Sequence, residues 1–163
     1  MSETEKFLEN SCNMMGVNPA LVQLAYPPIR VSEANQRYAE IIKMDYCGSV
    51  SELSAVTQYI HTEICLSNRK CEVAKTILGI AMAEMIHLQK LGELIVLLGG
   101  SPDYKVMANQ RGLTYWTPEW LTLQKEPKKM IMEGIASEKG AIAQYRKHMK
   151  MIKVLKVISD LKT

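Results

Sequence analysis

The pair Glu84 and His87, three residues apart, is the feature of this sequence most suited to chemistry. On a helix, a carboxylate and an imidazole at that spacing reach toward one point from adjacent turns. Oxygen donors joined by one imidazole suit iron, manganese or zinc. An internal repeat supplies further carboxylates. Residues 51–59 (SELSAVTQY) and 137–145 (SEKGAIAQY) share Ser, Glu, Ala, Gln and Tyr at five of nine positions, a sixth exchanges Val for Ile, and the offset is 86 residues. A duplicated helix pair explains that match better than chance does. At 100° per residue, Glu52, Val56, Tyr59 and Glu63 fall in one arc, and Ile131, Ile135, Glu138, Ile142, Tyr145 and Met149 fall in another. Glu84 and His87 share theirs with Ile77, Ile80, Ala81, Leu88 and Leu91. Three carboxylates and one imidazole thus lie on faces expected to meet in a core. Such crowding is costly unless protonation, arginine pairing or a metal ion neutralises the charge. No Arg or Lys sits on these arcs near the glutamates, which weakens the pairing option.

The elements that must position these groups read as helices. Residues 1–32 look irregular, apart from a short apolar stretch near 20–26, and Pro27-Pro28 stops any helix there. Ser32 is an N-cap candidate before a helical run carrying Ala34, Tyr38, Ile41, Ile42 and Asp45. Gly48 interrupts this run, and Ser49 or Ser51 can cap a second segment reaching about Leu66. Ser67-Asn68 marks a turn. A helix of about 30 residues follows, from about Arg69 to Leu98, and Gly99-Gly100-Ser101-Pro102 ends it. The stretch from Asp103 to about Glu126 has Trp116, Pro118 and Trp120 but no sustained period, and reads as a long crossover. Pro127 opens a last helix to about Lys153.

Composition narrows the function classes. The chain has 163 residues, one domain's worth, with 47% apolar residues, 6% aromatics and eleven Met, which favours packed helices over a strand-rich sandwich. A net charge of +3 is too small to argue for nucleic acid as a partner. Seven Lys/Arg from Lys139 onward face a single Asp and read as the solvated back of a helix, making a membrane partner unlikely. The N-terminus is acidic where a signal peptide needs basic and then apolar residues, and the longest apolar run, 94–98, is far too short to span a bilayer. A soluble, cytoplasmic protein is expected. The cysteines at 12, 47, 65 and 71 form no C-x-x-C pair, which argues against a zinc ribbon or a rubredoxin-type iron site. Cys65 and Cys71 are close enough to meet, but reduced, buried thiols are the expectation.

On these motifs the chain resembles the ferritin-like superfamily, and within it the rubrerythrin-like proteins. Residues 35–48 and 51–59 match the first helix of that pattern, 80–102 the second helix and its stop, and 138–145 the third, so that the likeness spans about residues 20–155. The resemblance implies an all-α ferritin-like helical bundle with a long crossover between the second and third long helices. Residues 33–163 would form that domain, and residues 1–32 would pack on it. It further implies that Glu52, Glu84, His87 and Glu138 are metal ligands, with Glu84 bridging, and that Tyr59 and Tyr145 support them. Iron is the implied cofactor, in a di-iron centre, with manganese possible, and the implied activity is oxidoreductase chemistry on peroxide or oxygen.

The pattern has one departure. The repeat would place a second Glu-x-x-His at positions 170 and 173, whereas the sequence runs to Thr163. The expectation is therefore a bundle with a truncated fourth helix, an incomplete metal site and no rubredoxin domain. Two function classes follow: a peroxide- or oxygen-directed oxidoreductase, and a non-catalytic structural or assembly protein with a partial or empty site. A short fourth helix leaves an apolar groove, and a homodimer is the expected cover.

Overall fold

A computed structural model describes residues 12–21, 26, 28–107 and 112–152. Among the described residues, four helices carry the fold: α1 (Gln36–Cys47), α2 (Glu52–Leu66), α3 (Cys71–Leu97) and α4 (Pro127–Met151). The start of α1 differs from expectation. Asn35, not Ser32, is the N-cap, because its carboxamide accepts from Tyr38 N at 3.1 Å. Its own N–H donates to Leu98 O at 2.9 Å, tying the start of α1 to the end of α3. Ser51 caps α2 by accepting from Ser54 N at 3.2 Å, which makes Glu52 the first helical residue. At this same end of α3, Gly99 takes a φ of +84°, the left-handed conformation that glycine adopts without penalty.

The crossover from α3 to α4 is more ordered than its pattern suggests. It holds an antiparallel pair, β1 (Lys105–Met107) and β2 (Leu113–Tyr115), with Val106 opposite Thr114, and then a 3-10 turn at Pro118–Trp120. Three-residue strands are too short to display an alternation, so this hairpin was not expected. The segment is pinned to α2 by side chains: Trp116 Nε1 donates to Ser54 Oγ at 3.0 Å, and Gln58 Nε2 donates to Thr122 O at 3.0 Å.

Apolar burial is concentrated where α1 meets α3. Ala39, Ile42, Tyr46 and Cys47 pack with Ile95 and Leu98 and with Val106 of β1. A second cluster joins Tyr59 of α2 to Ile77 and Ala81 of α3, which together form the most extensive helix pair. The arc assigned to α4 is only half covered. Met130, Gly134 and His148 are buried, while Ile135, Ile142 and Met149 remain 44%, 49% and 43% exposed. The covered seam is thus rotated about 90° away from the one that apolar residues alone would choose. Residues 153–163, on which the expected fourth helix and the last three of the seven basic residues fall, lie outside the described residues, as do residues 1–11.

The cysteine expectation is overturned. Cys12 and Cys71 form a disulfide across 59 residues of sequence, Cys65 is exposed and unpaired, and only Cys47 is a buried free thiol. Spacing along the chain pointed to Cys65, but Cys71 opens α3 and meets the N-terminal segment instead. Among the described residues, no helix is long and apolar enough to cross a membrane.

Close packing at the α1–α3 junction generates a stability prediction. A Cβ on Gly100 would sit 2.7 Å from Ala39 Cβ and 3.0 Å from Ile95 Cγ2, and both neighbours are fully buried. Gly100→Ala should destabilise the protein by about 1–3 kcal/mol through overpacking. Urea or thermal unfolding measures this, and a loss below about 0.5 kcal/mol, typical of a surface change, would contradict the packing.

Candidate metal centre

Two helices converge on one point, and a third lines the cavity around it. Glu52 enters from the first turn of α2, and Glu84 and His87 enter from adjacent turns in the middle of α3. His87 Nδ1 lies 2.8 Å from Glu84 Oε2 and 3.9 Å from Glu52 Oε2. One ligand atom from each of these residues falls within 4.8 Å of the others, a spacing that a single cation can bridge. Glu52 and Glu84 are buried, and His87 is half-buried at the rim. Glu138 approaches from α4 and lines the same cavity, whose volume is about 360 Å³, without joining the three-residue cluster.

The two repeat tyrosines bridge the copies. Tyr59 of α2 donates to Glu138 Oε1 of α4 at 2.5 Å, and Tyr145 of α4 donates to Glu52 Oε1 of α2. Each phenol therefore serves the carboxylate of the other copy, seven residues from its own. Gly134, four residues before Glu138, admits the Tyr59 ring, since a Cβ there would lie 3.1 Å from Tyr59 Cε1. The repeat glutamines play a parallel part at the edges. Gln58 holds Thr122 O, and Gln144 Nε2 donates to Val50 O at 2.7 Å.

Electrostatics follow from this crowding. Burial, then the hydrogen bond to Glu84, pushes Glu52 from 4.5 up to about 9, although the Tyr145 bond opposes the rise. Burial also acts against ionised Glu84, but its hydrogen bonds to His87 and Glu52 outweigh that effect and its pKa is lowered. The pair thus shares one proton, held on Glu52, with the negative charge on Glu84 beside the imidazole. Both tyrosines are pushed well above the usual phenol range, by burial first and then by the nearby carboxylates, so both remain protonated donors. Of the three ways to neutralise these groups, protonation of Glu52 is the one its burial favours in the metal-free chain. A carboxyl that ionises only above neutral pH in the absence of a partner charge is what a cation-binding donor set should show.

Several polar residues near the cavity were not singled out as site residues by sequence reasoning. Asp45 of α1, 1% exposed, lies 2.8 Å by both carboxylate oxygens from His148 Nδ1, and accepts from Gln144 Nε2 at 2.8 Å. Burial raises the Asp45 pKa, and these partners offset part of that rise. His148 sits about 80° around the helix from Glu138, off the carboxylate stripe. It faces α1 instead, a direction that only the tertiary arrangement reveals. Tyr26 lies in the segment read as irregular, and its hydroxyl sits 2.6 Å from His87 Nε2. No local signal marks it.

A prediction follows from the proton on Glu52. Between about pH 4.5 and 9 the folded, metal-free protein holds a proton that the unfolded chain releases. Stability from this group is complete below the unfolded value and is lost as pH rises toward the folded one. The thermal midpoint of metal-free protein should therefore fall from pH 6 to pH 9. Glu52→Gln, which keeps a neutral acceptor for Tyr145, should flatten that slope. Identical slopes in the two proteins would contradict the assignment.

The ferritin-like family model matches residues 48–152. Among solved structures the chain is similar to KatB, a manganese catalase from Anabaena PCC7120, at 22% identity and a TM-score of 0.73, with 86% of this chain and 71% of that chain covered. A structure of wild-type KatB from Anabaena gives the same values. At that identity the likeness shows a shared fold. No curated protein matches the chain.

Proposed function

We propose, from the premise that this chain belongs to the ferritin-like family, that it binds manganese or iron at Glu52, Glu84 and His87 and acts as an oxidoreductase on peroxide. The observation that carries this reading is the approach of three donor atoms to within 4.8 Å of one another inside the bundle. Two carboxylates and one imidazole match the donor preferences of both metals. The fold shared with a manganese catalase supports the same reading, as does the resemblance of the motif order to rubrerythrin-like proteins. Glu138, held by Tyr59 across the cavity, is the fourth donor in this reading.

The bound metal would supply one-electron redox steps and a Lewis acid for a peroxide oxygen. The chain's own residues do the rest. Glu84 carries the anionic charge that attracts a cation, and His87 turns Nδ1 toward it. Glu52 would give up its proton to a cation, so uptake near neutral pH should be accompanied by proton release. Tyr145 and Tyr59 fix the carboxylates of the opposite helices and, staying protonated, add no charge of their own. A cavity of about 360 Å³ leaves room for a molecule the size of hydrogen peroxide.

Elemental analysis of protein produced with both manganese and iron tests this reading, together with oxygen release from hydrogen peroxide. At least one ion per chain and measurable turnover are expected, with both lost in Glu84→Gln and His87→Ala. Metal bound without turnover would favour a non-catalytic ferritin-like protein. Protein that takes up neither ion would overturn the proposal.

A further inference from the structure

Residues 12–21 and Tyr26 rest along α3 toward the candidate metal centre, and three contacts mark this. Cys12 is bonded to Cys71 at the first residue of α3. Ala20 N donates to Gly79 O at 2.8 Å, and a Cβ on Gly79 would stand 2.8 Å from Asn18 O, so the segment rests directly on the helix backbone. Tyr26 then meets His87, with its hydroxyl 2.6 Å from Nε2 and its ring edge-on to the imidazole at 5.8 Å between centroids. The contacts on α3 are eight residues apart, about 12 Å of rise each, and occur in the same order on both partners. Met14 adds an apolar anchor beside Leu66, Ala74 and Met130.

From this geometry we propose that Tyr26 is a positioning residue for His87, and that the Cys12–Cys71 disulfide holds Tyr26 in place, so that thiol redox state sets the metal affinity of the centre. The proposal rests on the reading of His87 as a ligand. His87 Nδ1 faces Glu84 and Glu52, which leaves Nε2 as the nitrogen an outer partner must satisfy. A phenol can donate to that nitrogen or accept from it, so Tyr26 serves the imidazole in either tautomer. Partners of this kind orient a metal-binding imidazole and raise its basicity. Cys12 and Cys71 are half-buried, within reach of a small dithiol. Such a reductant gives two electrons and two protons, the sulfur–sulfur bond breaks, both cysteines become thiols, and the dithiol leaves as its own disulfide. Once the bond opens, the described contacts that keep the segment on α3 are the Met14 packing, one backbone hydrogen bond and the Tyr26 contact itself.

The test compares four forms of the full chain by electron paramagnetic resonance titration with Mn2+: wild type, Tyr26→Phe, Cys12→Ser/Cys71→Ser, and the triple variant. The double cysteine variant is permanently open and spares the titration a metal-binding reductant. Tyr26→Phe should weaken Mn2+ binding about 10- to 100-fold. The cysteine variant should weaken it in the same direction, and the triple variant should match Tyr26→Phe. An unchanged affinity in Tyr26→Phe, or effects that multiply in the triple variant, would overturn the proposal. If wild-type protein takes up no Mn2+, the metal reading fails by itself, and 15N shifts of the His87 ring in metal-free protein decide the latch. These should move in Tyr26→Phe and move likewise in the cysteine variant. A His87 signal unaffected by opening the disulfide would overturn the latch, as would four free thiols in denatured, unreduced wild-type protein where Cys47 and Cys65 alone are expected.

Discussion

Carboxylate crowding in a helical interior is the constraint on which this structure depends. Glu52, Glu84 and Glu138 enter one cavity from α2, α3 and α4, and removing even one ionised carboxylate from water costs several kcal/mol unless something compensates it. The chain supplies compensation in three forms: a shared proton between Glu52 and Glu84, the His87 ring beside Glu84, and a phenol from the opposite helix on each of the other two carboxylates. All of these partners are hydrogen-bond donors or protons, and none is a fixed cation. On the proposed reading, a centre built this way would exchange its proton for a metal ion. A lysine or arginine in the same place would have closed that option.

The same bonds fasten α4 to the rest of the protein. Apolar burial on α4 is thin, while Tyr145–Glu52, Tyr59–Glu138, Gln144–Asp45 and His148–Asp45 reach from it to α1 and α2. Site geometry and helix attachment are therefore one set of interactions. A change to either tyrosine must disturb both, because it frees a helix contact and leaves a buried carboxylate without its donor. Duplication explains the economy of the arrangement. Equivalent residues of the two copies face each other across the cavity, and each copy completes the other.

Much of this was legible in the sequence because it rests on periodicity. The helix boundaries after Gly48, at Gly99 and at Pro127 follow from backbone chemistry that acts within a few residues, and the structure places them accordingly. Glu52, Glu84 and His87 were found because repeat and spacing put them on apolar arcs, where a charged residue needs a reason. What escaped was non-local. Asp45 and His148 are 103 residues apart and pair only because α4 rotates to put a polar seam against α1. The Cys12–Cys71 bond and the Tyr26 contact join an irregular segment to a helix, and no periodic signal predicts where such a segment will rest. The hairpin at β1 and β2 was missed because three residues are too few to alternate.

Anomalous X-ray diffraction from crystals equilibrated with Mn2+ tests the central claim most directly. A manganese peak within bonding distance of a Glu52 oxygen, a Glu84 oxygen and His87 Nδ1 is the predicted result. A crystal whose only manganese lies elsewhere, with His87 Nδ1 still bonded to the Glu84 carboxylate, would contradict it.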